Sequence, residues 1–323
     1  MRAISAVRTL VLNLAIIGAT GHIGRSLIWR LGADDRFRVH AYARQPDLVR
    51  ADAEGSGAIL VEIGDTNVFD QKSFDVVINC IGAGDPARVA ELGADLFWVT
   101  ETFDNRILAL LKDHPETLYI NMSSGAVYGT SFAAPLDEHA EVARRVNDVR
   151  PEEWYGIVKR NAEAKHRAHA SLNIVDLRVF SYFSRFLNLD GRLFVVDLVN
   201  AVLQRAPLMT SVDDPVRDYA TPADLVRMIT CIIDRWKHYG DGVNGAVDLY
   251  TKAPIGKFEL IEAVEEKYGL IWNVEGNVEI LSNTGVKLNY IPEYRGAAMW
   301  GYEPAYNSLD GLMHELEAIV QGV

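Results

Sequence analysis

Short apolar runs alternate with amphipathic stretches through the first half of the chain. LNLAIIG (12–18), RFRVHAYA (36–43), AILVEI (58–63), DVVINCIG (75–82), TLYINMSS (117–124) and NIVDLRVF (173–180) read as six strands. Their apolar character is nearly continuous rather than alternating, which marks strands buried on both faces. The spacing between them predicts helices over 22–32, 86–112 and 152–170. Pro151 followed by Glu152 and Glu153 makes a helix start, because proline suits the first turn and acids suit its partial positive charge. Strands alternating with helices imply an α/β fold with a doubly wound parallel sheet, whose ligands bind beyond the carboxyl ends of the strands. Residues 1–180 are expected to form this unit. Residues 181–323 are expected to form a smaller mixed α/β lobe with helices near 193–205, 222–238, 256–268 and 308–321, with room for some of its segments to return to the sheet. No internal repeat is visible.

The bulk numbers narrow the function classes. A chain of 323 residues, 49% hydrophobic and 24% charged, is that of an ordinary globular protein. A net charge of −12 argues against a general nucleic-acid binder, since phosphate backbones require a basic surface. Cys80 and Cys231 stand far apart in apolar surroundings, so neither a disulfide framework nor a zinc site is expected, and a cytoplasmic location follows. The opening MRAISAVRTLVLNLAIIGATG flanks an apolar run with two arginines, as signal peptides do. Asn13 interrupts it, however, and it runs directly into a glycine turn, so it reads as a first strand behind a short extension. No run reaches the ~20 apolar residues that cross a bilayer. No metal site is expected either: HExxH and CxxC patterns are lacking, and His166 and His169, beside Lys165 and Arg167, read as a solvated helix face. Asp213 and Asp214, before a proline, read as a turn.

The first distinctive chemistry is IIGATGHIGRSLI. It places Gly18, Gly21 and Gly24 between the first strand and a helix beginning at His22 and Ile23. Such a loop permits a tight turn, close approach of backbone to a pyrophosphate, and close packing of helix on strand, while the helix N-terminus offers unpaired N–H groups. A dinucleotide site is expected there. At the end of the second strand the sequence reads Ala43-Arg44, where an acid would bind the ribose hydroxyl of NAD and an arginine can pair with the 2′-phosphate of NADP. This favours NADP(H) over NAD(H). Asp65, after the third strand, either accepts from the adenine amino group or caps its own loop.

YGIVK places Tyr155 and Lys159 one helical turn apart on one face, a spacing shared by working pairs and by ordinary amphipathic helices. NMSSGAVYG ends the fifth strand with Ser123 and Ser124 at the sheet edge. Together, the glycine loop, SSGAVYG and YxxxK in this order resemble the extended short-chain dehydrogenase/reductases, and within them the NAD(P)-dependent epimerase/dehydratase branch. DLRVFSYF (176–183), VRDYATPADLVRMI (216–229), KAPIGKFELIEAV and GYEPAYNSLDGL extend the likeness over nearly the whole chain.

The resemblance implies a Rossmann-type fold and a catalytic set of Ser124, Tyr155 and Lys159, with Glu163 structural. It further brings Cys80 and Gly82, after the fourth strand, and Phe180, after the sixth, to the cofactor, and Ser123, Ser124 and Arg217 to a nucleotide-sugar substrate. Arg185 and Arg192 are weaker candidates for adding positive charge. Tyrosine titrates near 10, so use as a base near pH 7 needs roughly 4 kcal/mol of preferential phenolate stabilisation. A neighbouring ammonium and an oxidised nicotinamide can supply that in a dry cleft. Three reactions fall within the family. A 4,6-dehydratase is disfavoured, because Gly125 and Ala126 stand where its Asp-Glu pair would be. Ketoreduction at C4 is the first expectation and 4-epimerisation the second; reduction of another small carbonyl compound and a non-catalytic NADP-binding regulator are the alternatives. The interval between Ser124 and Tyr155 leaves room for an inserted helix or lid, and a homodimer through 86–112 and 152–170 is implied by the resemblance.

Overall fold

The computed structural model describes residues 11–84, 86–130, 136–143, 146–240, 242–275 and 288–322. The extension before residue 11 therefore lies outside the described residues. In chain order the first half forms β1 (Leu12–Ile17), α1 (His22–Leu31), β2 (Phe37–Ala43), α2 (Pro46–Ser56), β3 (Leu60–Asp65), β4 (Val76–Asn79), α3 (Pro86–Leu92), α4 (Asp95–Asp113), β5 (Leu118–Ser124), α5 (Pro151–Ala168) and β6 (Ile174–Val179). The single helix expected over 86–112 is two helices. Gly93 has φ +51°, a left-handed conformation that breaks the helix and that side-chain-bearing residues resist. The apolar pattern did not reveal α2, which buries only Val49 and Ala53, although Pro46 starts it and Gly57 ends it at φ +70°. Residues 136–143 and 146–150 contain no helix, so the expected insertion is irregular where it is described.

The second half continues with β7 (Ser181–Tyr182), α6 (Phe194–Gln204), β8 (Leu208–Thr210), β9 (Val216–Arg217), β10 (Tyr219–Ala220), α7 (Pro222–Tyr239), β11 (Asn244–Asp248), β12 (Ile255–Gly256), α8 (Lys257–Tyr268), β13 (Trp272–Val274), β14 (Asn289–Tyr290) and α9 (Ser308–Gln321). Of these, β11 returns to the first half and pairs in parallel with β6, from Asn244 on Ile174 to Asp248 on Arg178. The result is a seven-stranded parallel sheet in the order β11-β6-β5-β4-β1-β2-β3. The chain reverses its direction of travel between β1 and β4, which opens a crevice at their carboxyl ends. A small sheet, β12-β9-β14, lies in the second half.

Strand alternation divides the core. Leu14 and Ile16 of β1 face one side, where Ile28 of α1 and Leu225, Met228 and Ile232 of α7 cover them. Ala15 and Ile17 face the other, against Ile107, Leu108 and Leu111 of α4. A separate core joins α6, α8 and α9 through Leu198, Leu260, Val264, Leu312 and Leu316. The helix carrying the YxxxK pair is well started: the Glu153 carboxylate accepts from the Arg150 N–H at 3.0 Å, and Lys165, His166 and Arg167 occupy its last turn, where positive charge is favourable.

His166 is not on a solvated face. It is 0% exposed and bridges two carboxylates, Nε2 to Asp104 Oδ1 and Nδ1 to Asp176 Oδ1, both at 2.8 Å. Lys165 and Arg167 approach the outer oxygens of the same two aspartates, at 2.7 and 2.8 Å. The basic neighbours that suggested solvent instead flank a buried imidazolium tying α4 and α5 to β6. Tyr119 donates to Asp104, and Asn121 to Asp176, which carries the network into β5. Burial alone would lower the His166 pKa, but the hydrogen bonds and charges of Asp104 and Asp176 outweigh it and hold the pKa at about 9. A histidine held above its usual 6.5 contributes stability that is fully present below pH 6.5 and is lost as pH rises through 9. At ~1.4 kcal/mol per pKa unit this amounts to about 3 kcal/mol. Urea denaturation at a series of pH values should show this loss in the native chain. A His166→Gln variant should start about 3 kcal/mol lower and should lose clearly less over that range than the native chain.

Candidate active site

The glycine loop shows what its three glycines do. Gly18 has φ +86°, and a Cβ there would stand 2.9 Å from the Cys80 carbonyl carbon; one on Gly24 would meet the Gly18 oxygen at 2.4 Å. These two allow β1, the loop and α1 to touch. Gly21 has an ordinary φ of −74°, is exposed, and leaves the mouth of α1 without a side chain. Inside that mouth His22 is tied through Nε2 to Ser184 Oγ at 2.7 Å, and burial together with Arg25 lowers its pKa to about 4, so it is neutral. Ile23 packs against the core. Cys80 stays a protonated thiol because burial pushes its pKa up to about 12, with Lys159 opposing. Arg44 is exposed beyond β2. Asp65, paired with Ala43 in the β2–β3 register, accepts from the Asn67 N–H at 2.7 Å through one carboxylate oxygen.

Across the crevice, α5 brings Lys159 against the ends of β4 and β5. The side chain is 3% exposed, and Nζ donates to the Met122 carbonyl at 2.7 Å. It lies 6.0 Å from the centre of the Tyr155 ring, and a Cβ on Gly82 would come within 3.3 Å of it. Among the described residues no carboxylate forms an ion pair with Lys159. Ser124 is buried at the end of β5, and its Oγ accepts from the Ala126 N–H at 3.2 Å. Its other neighbour is the phenol of Tyr290, 3.3 Å away. The Tyr290 phenol is close enough to Tyr155 for that residue to raise its pKa, after burial, which raises it most.

Two residues expected at bound ligands have close protein partners. Successive strand residues point to opposite sides, and Ser123 donates its hydroxyl to Glu163 Oε1 at 2.5 Å, so it braces α5. Phe180, expected at the cofactor, packs its ring against Gly125, 4.9 Å from the Tyr290 ring and 5.9 Å from that of Tyr128. Behind this wall Arg178 holds Glu163 at 2.7 Å and donates to the Tyr128 hydroxyl at 2.7 Å. Tyr128 in turn donates to Asp248, whose carboxyl burial pushes up to about 7 against the pull of Arg178. Arg185 is committed to the buried Glu315 at 3.1 Å. Among the described residues Arg217 donates through Nη1 to the Val216 and Leu288 carbonyls and has no carboxylate partner, and burial lowers its pKa. Sequence reasoning missed Tyr290 and Asp248, which come from distant segments without a local motif, and passed over Tyr128 although it stands inside the SSGAVYG stretch.

A model of the NAD dependent epimerase/dehydratase family matches residues 14–244. No curated protein matches the sequence. Among solved structures, UDP-glucuronic acid 4-epimerase from Bacillus cereus, in complex with UDP-glucuronic acid and NAD, superposes with a TM-score of 0.76 at 18% identity, covering 96% of this chain and 100% of that one. UDP-glucose 4-epimerase from Bifidobacterium longum, in complex with NAD+ and UDP, gives 0.74 at 19%, covering 96% and 98%. dTDP-glucose 4,6-dehydratase from Bacillus anthracis, in complex with NAD, gives 0.71 at 14%, covering 95% and 96%.

Gly125 is held small by its neighbour, since a Cβ there would lie 2.6 Å from the Phe180 ring. Gly125→Ala should therefore cost about 1–3 kcal/mol in thermal denaturation. Adding Phe180→Leu should cost less in that variant than in the native chain, because the two side chains would compete for one volume.

Proposed function

The chain belongs to the NAD dependent epimerase/dehydratase family, and we propose that it is a nicotinamide-dependent oxidoreductase acting at a carbinol or ketone carbon of a nucleotide-diphosphate sugar. The observation that carries this reading is the Lys159 ammonium, buried with a single carbonyl acceptor beside Tyr155 and Gly82. Burying a charge without a counter-charge is costly, and such groups are characteristic of functional sites. In this reading Nζ has donors to spare for the hydroxyls of a nicotinamide ribose. Tyr155 exchanges the proton of the reacting sugar oxygen, and Ser124 holds that oxygen by a hydrogen bond.

The residues of the crevice fit a dinucleotide. Gly18 and Gly24 allow the close turn, Gly21 leaves the helix mouth bare, and neutral His22 with a protonated Cys80 adds no negative charge against a pyrophosphate. The dinucleotide supplies the hydride acceptor or donor, and the remaining functions come from the chain. Asp65 keeps one carboxylate oxygen for an adenine amino group, and Arg44, exposed after Ala43, supports NADP(H) over the NAD found with the neighbouring structures. Arg217, without a carboxylate, suits the substrate diphosphate.

Gly125 and Ala126 carry no proton-exchanging group, and the Phe180 ring fills the space beside Gly125, which supports hydride chemistry without elimination of water. Ketoreduction at C4 is the first reading because a reductase consumes NADPH. The similarity to two 4-epimerases favours 4-epimerisation as the second. A homodimer through α4 and α5 belongs to the same proposal: Glu101 joins the two helices through Asn161 and Lys165, and Trp98, 74% exposed, stands on α4.

The test is turnover of a panel of UDP- and dTDP-linked sugars and keto sugars with both dinucleotides, with an epimerisation readout. Tyr155→Phe should lower turnover by about 10²–10⁴-fold and leave dinucleotide affinity within about threefold, less than the ~0.7 kcal/mol that such a ratio represents. Arg44→Ala should weaken NADP(H) by about tenfold, one charge-assisted hydrogen bond, and leave NAD(H) unchanged. Turnover of other carbonyl compounds alone would contradict the sugar assignment. Tight dinucleotide binding with no turnover would make the chain a sensor.

A further inference from the structure

We infer that Tyr290 is a positioning residue of this site: its phenol donates to Ser124 Oγ and thereby directs the serine's own proton toward the reacting oxygen. The inference rests on the reading of Ser124 given above and adds a residue that no local pattern marks. A serine hydroxyl has one proton and two lone pairs. Ser124 Oγ already accepts from the Ala126 N–H at 3.2 Å, and the Tyr290 hydroxyl stands 3.3 Å away. When Tyr290 donates, both lone pairs are filled, so Ser124 can act only as a donor to a third group. A ketone oxygen can only accept, and a carbinol oxygen giving up its proton to Tyr155 can accept as well. One arrangement of Ser124 therefore serves both ends of a hydride transfer without rotating the hydroxyl.

The placement of Tyr290 suits this role. The residue is 6% exposed and its ring lies 4.9 Å from that of Phe180, so the hydroxyl is held by packing. Burial raises its pKa and the neighbouring Tyr155 adds to the rise, outweighing Ser124, so the phenol keeps its proton. Its strand is braced on two sides. β14 pairs with β9, placing Tyr290 opposite Arg217. Just beyond, Glu293 and Tyr294 both donate their N–H groups to the Leu136 carbonyl, in the connection between Ser124 and Tyr155. Tyr290 thus pairs through its backbone with Arg217 and through its hydroxyl with Ser124.

The experiment is a cycle of Tyr290→Phe, Ser124→Ala and the double variant, read by turnover of the panel sugars and by thermal unfolding. Phenylalanine keeps the ring packed on Phe180 and removes only the hydroxyl. The expected result is a roughly tenfold fall in kcat for Tyr290→Phe, the effect of one hydrogen bond, with KM nearly unchanged and a further fall below about twofold once Ser124 is alanine. A fall that recurs undiminished without Ser124, or that appears wholly in KM, overturns the inference, because packing alone would then explain it. If the native chain turns over no sugar, the substrate reading fails separately. The melting temperatures then decide whether the hydroxyls pair: shifts smaller in the double variant than their sum sustain the pairing, and additive shifts overturn it.

Discussion

An ammonium group held out of water at the end of a parallel sheet is the constraint around which this molecule is arranged. Among the described residues Lys159 has one acceptor, the Met122 carbonyl, and lies at the edge of the crevice created by the order of β1 and β4. In a low-dielectric surrounding such a charge is costly, and more so if it is poorly positioned. The rigidity is visible. α5 is anchored beyond the lysine by the His166 imidazolium between two aspartates and by Glu163 between Ser123 and Arg178. Both anchors reach into β5 and β6, the strands that end at the site.

The two anchors differ in kind. His166 is a closed arrangement in which every partner is protein, with Lys165 and Arg167 balancing the outer carboxylate oxygens. The Arg178 cluster runs through Tyr128 to the high-pKa carboxyl of Asp248, and its aromatic edge continues through Phe180 to Tyr290. Buried charge therefore fixes the C-terminal part of α5 to β5 and β6. Hydrogen-bonded networks of this sort rigidify a site, and the buried atoms left without a hydrogen bond, two nitrogens of Arg167 and Asp104 Oδ2 with only its Lys165 ion pair, are a cost.

What the sequence revealed and what it hid follow from range. The strands from 12 to 179 and the glycine loop were legible because their signals are local: continuous apolar runs, and glycines where a Cβ would strike Cys80 or Gly18. The YxxxK spacing was legible for the same reason, as one turn of helix. Features set by distant partners were not. His166 looked solvated because its neighbours are basic, and only the approach of Asp104 from α4 makes it core. Tyr290 lies 166 residues from Ser124 on a two-residue strand, too short to show any period. Gly93 signalled a break that the apolar pattern on either side concealed. Strand alternation alone should have separated Ser123 from Ser124, since adjacent residues cannot both face the crevice.

The central claim is that the Lys159 ammonium is held for a bound dinucleotide rather than for the fold, and calorimetric titration of the native chain and a Lys159→Met variant with NADP+ and NAD+ tests it most directly. The account predicts one site per native chain and an affinity at least about tenfold weaker in the variant, one charged hydrogen bond's worth, with unfolding stability unchanged or higher. Equal affinity in the two proteins, or no binding to the native chain, would contradict it.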